Sequence, residues 1–596
     1  MSLKFIYGRA GSGKSRFCLY DMKSRIEAGQ KNKLVLLVPE QYSLQAEKNL
    51  VHIMENKGTL QADVLSFKRM AYRVFNEVGG ITSSYLNQAS KCMIIYRIIE
   101  KLKDSFEVYS LASKKQGFAN EVCNLITEFK RYNVTPEDLN ILRDNIKSEA
   151  LKKKLTELNA VYTEYERQIK EKYRDADDDL TILAKKLDAS KQFDGAEIWI
   201  DEFSGFTPQE YAVITALLKK ASRVNISFCT DCLQDDKCYD CTDVFYSVKK
   251  AINKLMKIAG ENGIDIEKPV ILDKNDEPPY RFGNSREIAH LEKNFFAFPC
   301  GKYEEPTKDI SLFSSVNVFA EIESTARDIL KLCRDRGFRY RDIAVICGNL
   351  DIYESIIRAV FNEYGIAYFI DKNRDISDHP LLRMILSMFE IFTNNWSYEA
   401  VFRYLKSNLT GIDRSDIDII ENYVLAAGIR GSRWTQDEDW KYRGALPDRR
   451  KEGEDSDILA KINKTRRKII HPLIEFRKKT KGAVKNREIC TALYEFLCDI
   501  NVHNRLEDLI NKLREQGQIN LANEYSQVWN ILMEVMDKIV EVSGDEKMTV
   551  EKFADIFKMA LSEYKIGLIP PSLDQVIVGN LERSKSHEVK ALYIIG

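Results

Sequence analysis

The chain has 596 residues, too many for one hydrophobic core, which predicts three or four domains. Lys+Arg and Asp+Glu both number 90, so the formal net charge is zero; a globally basic field is excluded, and any nucleic-acid surface must be a local track. With no signal peptide, no run of 18 apolar residues and 12 cysteines in a charged chain, the expectation is a cytoplasmic protein with reduced thiols and no membrane span.

The first predicted element is a strand over residues 3–8, and it runs into Gly8-Arg9-Ala10-Gly11-Ser12-Gly13-Lys14-Ser15 ahead of a helix-forming segment. This is the spacing G-x-x-x-x-G-K-[ST] in a strand-loop-helix context, which predicts binding of a nucleoside triphosphate. Glycines let backbone N–H groups turn inward on phosphate oxygens, and the helix N-terminus adds positive potential. Lys14 is placed to reach the β and γ phosphates, and the Ser15 hydroxyl to ligate Mg²⁺. ATP and Mg²⁺ are therefore the expected ligands.

Further strand-like runs at 33–39, 62–67, 196–203 and 223–230 alternate with helical segments, the pattern of a parallel sheet covered on both faces. Between 81 and 190 long charged helices take over, as in Cys92-Met-Ile-Ile-Tyr-Arg-Ile-Ile99, with no clear strand. The run Ile198-Trp-Ile-Asp201-Glu202 is an apolar strand ending in two carboxylates. Asp201 is suited to hold Mg²⁺, and Glu202 to orient or deprotonate an attacking water, so Lys14, Asp201 and Glu202 form the candidate catalytic set.

Cys229-x-x-Cys232-x5-Cys238-x-x-Cys241 contains two C-x-x-C pairs, which either supply four thiolates to a metal or are ordinary reduced thiols; the short spacer and the position of Cys229 at a strand end favour thiols. A second α/β signal appears at Ile343-Ala-Val-Ile-Cys347 and returns at Gln575-Val-Ile-Val578 and Leu592-Tyr-Ile-Ile595, while residues 376–565 read as helices. Lys464-Thr-Arg-Arg-Lys468 and Arg477-Lys-Lys-Thr-Lys481 are either a DNA-backbone track or solvated helix faces. The acidic run Glu452-Gly-Glu-Asp-Ser-Asp457 nearby favours the latter.

Taken together, Phe5 to Ser15, Leu37 to Glu47, Val64 to Phe75, Ile200-Asp-Glu-Phe203, Asp342-Ile-Ala-Val-Ile346 and Asp574-Gln-Val-Ile-Val-Gly579 resemble the UvrD-like superfamily 1 helicases, and within them the AddB subunits of bacterial AddAB helicase-nucleases. The resemblance spans nearly the whole chain. It implies an α/β P-loop NTPase with two RecA-like parallel-sheet domains, each carrying a large helical insertion. The expected domains are 1–80 with 190–305, the insertion 81–189, the second sheet domain 306–375 with 566–596, and the insertion 376–565.

By position, Gln41 and Tyr42 fall in a second motif after the phosphate loop, and Ser66-Phe67-Lys68 falls where a Thr-Phe-His element contacts single-stranded DNA in these helicases. Hydroxyl, aromatic and ammonium groups suit phosphate positioning and base stacking; core packing is the competing reading for Tyr42 and Phe67. The pattern also departs from active helicases. Cys347-Gly348-Asn349 stands where an arginine is expected, Thr230-Asp-Cys-Leu-Gln replaces Gly-Asp-x-x-Gln, and Leu581-Glu-Arg-Ser-Lys-Ser-His-Glu588 keeps only part of a fifth motif.

The resemblance further implies an AddA-like partner that supplies the motor in a heterodimer, processing of duplex DNA ends for recombination, and help in recognising the Chi sequence on the emerging single strand. A nuclease domain and a [4Fe–4S] cluster are implied only for a C-terminal region beyond this sequence. The rival expectation is a non-hydrolysing scaffold that ATP binding merely stabilises.

Overall fold

The computed structural model describes residues 1–54, 61–79, 84–170, 172–233, 242–273, 279–372, 374–376, 378–442, 452–566, 574–581 and 589–596. The chain is mixed α/β with parallel sheets. The larger sheet has seven strands, in the order Ala62–Leu65, Leu34–Leu37, Glu197–Ile200, Arg223–Cys229, Ser2–Gly8 and Asp265–Ile266, with Val270–Ile271 also paired to Ser2–Gly8. Its pairings are all parallel.

Near-continuous apolar strands are what a parallel sheet with two covered faces requires. Leu3, Phe5, Val35, Leu37, Ile198, Ile200, Val224 and Ile226 pack into one core, while the alternate residues Ile6, Leu34, Leu36 and Trp199 pack into another on the opposite face. Burying each such side chain contributes about 1.5–3 kcal/mol. Register then sets the site: Gly8 lies opposite Cys229, and Leu37 opposite both Ile200 and Leu65. The carboxyl ends of these strands therefore open onto a common edge, where ligands of open α/β sheets bind.

The second sheet has four parallel strands in the order Tyr368–Ile370, Val576–Asn580, Ile343–Cys347 and Ala591–Ile595. Helices Val318–Arg336 and Leu350–Glu363 pack their apolar stripes on the face carrying Ile343, Val345, Cys347, Val576 and Val578.

The two helical segments do not form separate cores. Ile94, Ile98, Ile126 and Tyr165 from the first share one hydrophobic cluster with Met384, Ile385, Met388, Val528, Ile539 and Phe553 from the second. Arg97 pairs with Glu546 at 3.2 Å, and Asn87 donates to the Tyr564 hydroxyl at 2.9 Å across the same junction. Two features escape a periodicity reading because they are too short to show a period: the three-residue strands Ser84–Leu86 and Tyr173–Asp175, which pair in parallel at the root of the first helical segment, and Tyr368–Ile370. Among the described residues no helix is long and apolar enough to cross a membrane.

Candidate nucleotide and strand-binding site

Strand Ser2–Gly8 delivers the chain into a tight loop, and helix Lys14–Glu27 leaves it. Gly11 and Gly13 have φ of 77° and 92°, in the left-handed region that glycine tolerates. Close approach matters as well: a Cβ on Gly11 would lie 2.7 Å from the Phe282 ring, and one on Gly8 would lie 2.6 Å from Ser12 Oγ. The Lys14 ammonium folds back over the loop, donating to the carbonyls of Gly8 and Arg9, each at 2.8 Å. Ala10 lies within this turn.

The strand Glu197–Ile200 brings the two carboxylates to the same place. Asp201 is buried and accepts a hydrogen bond from the Ser227 hydroxyl on the neighbouring strand. Glu202 has a positive φ of 67°, unusual for a side chain of its size, and accepts from Ser15 Oγ at 2.8 Å. Partial burial of its carboxyl and then the nearby Asp201 raise Glu202 above the ordinary glutamate range, while Ser15, Lys14 and Arg281 pull it back. The loop, Lys14 and both acids thus lie together at the carboxyl ends of strands of one sheet. The donor set of hydroxyl and carboxylate oxygens suits a hard cation such as Mg²⁺.

A segment with no motif of its own completes the site. Arg281 donates its backbone N–H to the Gly11 carbonyl at 2.9 Å, and Tyr280 lies over the Arg16 guanidinium at 4.2 Å. Arg9 is held three ways: its N–H donates to Asp273 at 2.7 Å, its Nε to Glu292 at 3.0 Å, and its Nη2 to the Glu292 carbonyl at 2.7 Å. Arg281 is thus held beside the loop by its backbone, and its charge helps pull Glu202 back toward the ordinary range. Cys347, beside the position where the helicase pattern has its arginine, is buried at the end of a strand of the second sheet. The Tyr-Arg pair at 280–281 is the only local signal, and its proximity to Gly11 is a tertiary contact between residues 270 positions apart.

The expected strand contacts divide into buried and exposed. Ser66 is buried and caps helix Phe67–Val78, accepting from the Arg69 N–H at 3.2 Å. Phe67 is buried edge-on against Phe203, with centroids 5.6 Å apart. Tyr42 packs half-buried against the core, and Gln41 and Lys68 are exposed. The same helix turns Arg69, Tyr72 and Arg73 toward a cleft of roughly 500 Å³ along the open edge strand Ala62–Leu65, floored by Leu50 and Val64. Arg69 pairs there with Glu47 at 2.5 Å, and the Tyr72 ring is exposed.

Other candidate groups do not join this site. Cys229 is exposed and Cys232 half-buried with its thiol 3.4 Å from Asp231; Cys238 and Cys241 lie outside the described residues. Among the described residues no group of three His, Cys, Asp or Glu side chains gathers as metal ligands would. In the basic runs, Arg466 is buried against Trp440 and donates to two carbonyls, Arg467 pairs with Asp439, and Lys479 pairs with Glu495.

Residues 5–292 match the family described as ADDB, N-terminal. The whole chain is 58% identical to a protein of Acetivibrio thermocellus named as the B subunit of an ATP-dependent helicase/deoxyribonuclease, and covers 52% of it. Proteins with the same name in Ruminiclostridium cellulolyticum and Clostridium botulinum are 51% and 50% identical, again with 52% of each covered. The chain spans about half the length of the curated relatives it matches.

Proposed function

Because the chain belongs to the AddB family, whose members are named as B subunits of an ATP-dependent helicase/deoxyribonuclease, we propose that it is the helicase-like part of an ATP-dependent DNA end-processing enzyme. In this reading the P-loop NTPase site is Gly8 to Ser15 with Asp201 and Glu202, and the two parallel sheets are RecA-like domains. The observation that carries it is the convergence of Lys14, Ser15, Asp201 and Glu202 at the carboxyl ends of two strands of one sheet.

Loop N–H groups and Lys14 cradle the phosphates, and Tyr280 with Arg16 offers a flat face beside them. Ser15 and Asp201 would hold Mg²⁺, which when bound neutralises developing charge on the phosphates. Glu202, with its raised affinity for a proton, orients and deprotonates water, and Arg281 is placed to meet phosphate charge. Lys68, Arg69 and Tyr72 offer phosphate contacts and a stacking face to a single strand, without the need for Phe67 to leave its core.

Motor activity belongs in this reading to an AddA-like partner, with the present chain reading the unwound strand. The rival scaffold reading is favoured by one observation, the parking of Lys14 on the loop's own carbonyls. DNA-stimulated ATP turnover, measured on wild type and Lys14→Ala, separates the two: turnover lost in the variant supports the enzyme, and nucleotide binding with no turnover in wild type supports the scaffold.

A further inference from the structure

The short strand Tyr173–Asp175, where the chain leaves the first helical segment for the larger sheet, runs on into Asp177, Asp178 and Asp179. Asp175, Asp177 and Asp178 converge on two buried ammonium groups of that segment. Lys91, on helix Gln88–Leu102, reaches Asp177 at 2.6 Å and Asp175 at 3.2 Å and donates to the Thr127 hydroxyl at 2.8 Å. Lys130, on helix Gln116–Arg131, reaches Asp178 at 2.6 Å, Glu166 at 2.8 Å and Asp175 at 3.1 Å. The other side of the run grips the larger sheet's helices. The Asp177 carbonyl accepts from buried Gln209 at 2.7 Å, at the head of helix Pro208–Leu218, and Asp179 holds Arg174 at 2.6 Å over the ring of Phe75, a residue of that sheet's core. The acidic run is thus the joint between the two bodies.

Charge at this joint does not balance. Lys91, Lys130 and Arg131 face Asp175, Asp177, Asp178 and Glu166, which leaves one carboxylate in excess even before Glu210, whose carboxyl caps the Thr207 N–H near Arg131, is counted. Asp179 is matched by Arg174, and the hydroxyls of Tyr162 and Tyr165 behind Lys130 stay neutral. Surplus charge held away from water is costly, so such a cluster favours binding a proton. Asp178 is where a proton can arrive, since its side chain is 34% exposed against 3% for Asp175. Burial, with Asp175 and Glu166 adding to it, pushes the Asp178 carboxyl up to about 6 against the pull of Lys130. A neutral Asp178 still accepts from Lys130, so proton uptake removes the surplus without breaking the contact.

We propose that the acidic run at 175–179 is a proton-operated joint, in which uptake of one proton by Asp178 tightens the first helical segment against the larger sheet. The sign is the reverse of an ordinary ion pair. An acid whose pKa in the closed joint lies above its ordinary value of 3.8 binds its proton more tightly when the joint is closed than when it is open. Closure therefore gains as pH falls through about 6, and the gain is complete below 3.8. An Asp178 that served only to neutralise Lys130 would do the opposite and loosen the joint on protonation.

The test is amide hydrogen exchange on the full-length protein between pH 7.5 and pH 5.0, with the intrinsic exchange rate at each pH divided out so that protection reports the opening equilibrium of residues 88–95 and 173–186. In wild type, which needs no variant, protection of these residues is expected to rise about tenfold on going to pH 5.0. Asp178→Asn, a fixed mimic of the protonated acid, is expected to be at least about tenfold better protected than wild type at pH 7.5 and to show no further rise at pH 5.0. Wild-type protection that stays flat or falls on acidification overturns the proposal. So does a variant less protected than wild type at pH 7.5, which would make Asp178 an ordinary partner of Lys130. A rise that persists in Asp178→Asn but disappears in Glu166→Gln overturns it as well, by placing the proton on the other exposed acid of the cluster.

Discussion

Ser15 Oγ and Glu202 Oε1 are joined by a 2.8 Å hydrogen bond that spans 187 positions of sequence and ties the first helix of the chain to the end of strand Glu197–Ile200. The bond occupies the hydroxyl that a nucleotide-bound cation would claim. Lys14 is occupied too, on the carbonyls of Gly8 and Arg9. Binding must therefore exchange internal contacts for phosphate and cation contacts. Charge-assisted hydrogen bonds contribute about 1.5–3 kcal/mol, so Lys14→Ala should weaken Mg·ATP binding roughly ten- to hundredfold. Calorimetry with equal affinity for wild type and variant would remove Lys14 from the site, and the melt should not change because the ammonium supports only its own loop.

The raised proton affinity of Glu202 gives a pH signature. An acid with a raised pKa keeps its proton to higher pH, so a base at this position is lost on acidification earlier than an ordinary glutamate would be. ATP turnover should therefore fall as pH drops from neutrality while nucleotide affinity holds. Glu202→Gln should bind Mg·ATP and hydrolyse it at least 100-fold more slowly, with the acidic limb of the profile gone. An intact acidic limb in that variant would assign the titration to another group.

Helix Phe67–Val78 separates core from surface in a way that mutagenesis can read. Phe67→Ala removes a ring packed against Phe203 and should cost about 3–5 kcal/mol of stability. Tyr72→Ala removes an exposed ring and should leave the melt nearly unchanged while weakening single-strand binding, since stacking contributes about 1–3 kcal/mol per base. A Tyr72→Ala protein that binds a labelled single strand as tightly as wild type would clear the cleft beside Ala62–Leu65 of this role.

That contrast shows what kinds of information a sequence carries. The loop Gly8 to Ser15 and the acids after Ile200 are legible because local chemistry dictates their spacing and because apolar runs mark the strands that hold them. Ser66 and Phe67 are legible as a motif, yet their burial depends on Phe203 and on the capped helix, which no local pattern encodes. Arg281 reaches Gly11 through a backbone hydrogen bond, and Arg9 reaches Glu292 across 283 positions; such contacts leave no periodicity behind. The merging of the two helical segments is of the same kind, since each segment alone shows only an amphipathic stripe.

Acid sensitivity should come from His379. The imidazole is buried, accepts the Leu381 N–H at 3.2 Å at the head of helix Pro380–Thr393, and burial holds its pKa down at about 4. A depressed folded pKa means that the stabilising contribution is complete above the unfolded value near 6.5 and is lost as pH falls through about 4. The difference corresponds to about 3 kcal/mol. Denaturant midpoints measured from pH 7 to pH 4 should decline, and His379→Asn should flatten the decline; an equal slope in the variant would point to other groups.

The shared core of the helical segments bears on whether this chain can act as a motor. Closing two domains on a ligand requires a hinge or a sliding contact between them. Here the helical segment that grows from the first sheet and the one that grows from the second are packed into one cluster containing Ile94, Ile98, Val528 and Phe553, and close-packed interiors deform little. Arg97 to Glu546 at 3.2 Å, Tyr173 to the Glu541 carbonyl at 3.3 Å, and Lys552 to Glu100 at 3.4 Å add polar contacts along the junction. The two sheets are therefore bridged by a common body, and nucleotide binding should move them little. The purified chain is expected to bind single strands and Mg·ATP without separating a duplex. Dyes placed through Tyr20→Cys and Ile352→Cys, both at exposed positions on helices that flank the two sheets, should report the same transfer efficiency with and without Mg·ATP. A large rise in transfer on adding nucleotide, together with ATP-dependent strand separation by this chain alone, would show that the common body yields and that the motor lies here.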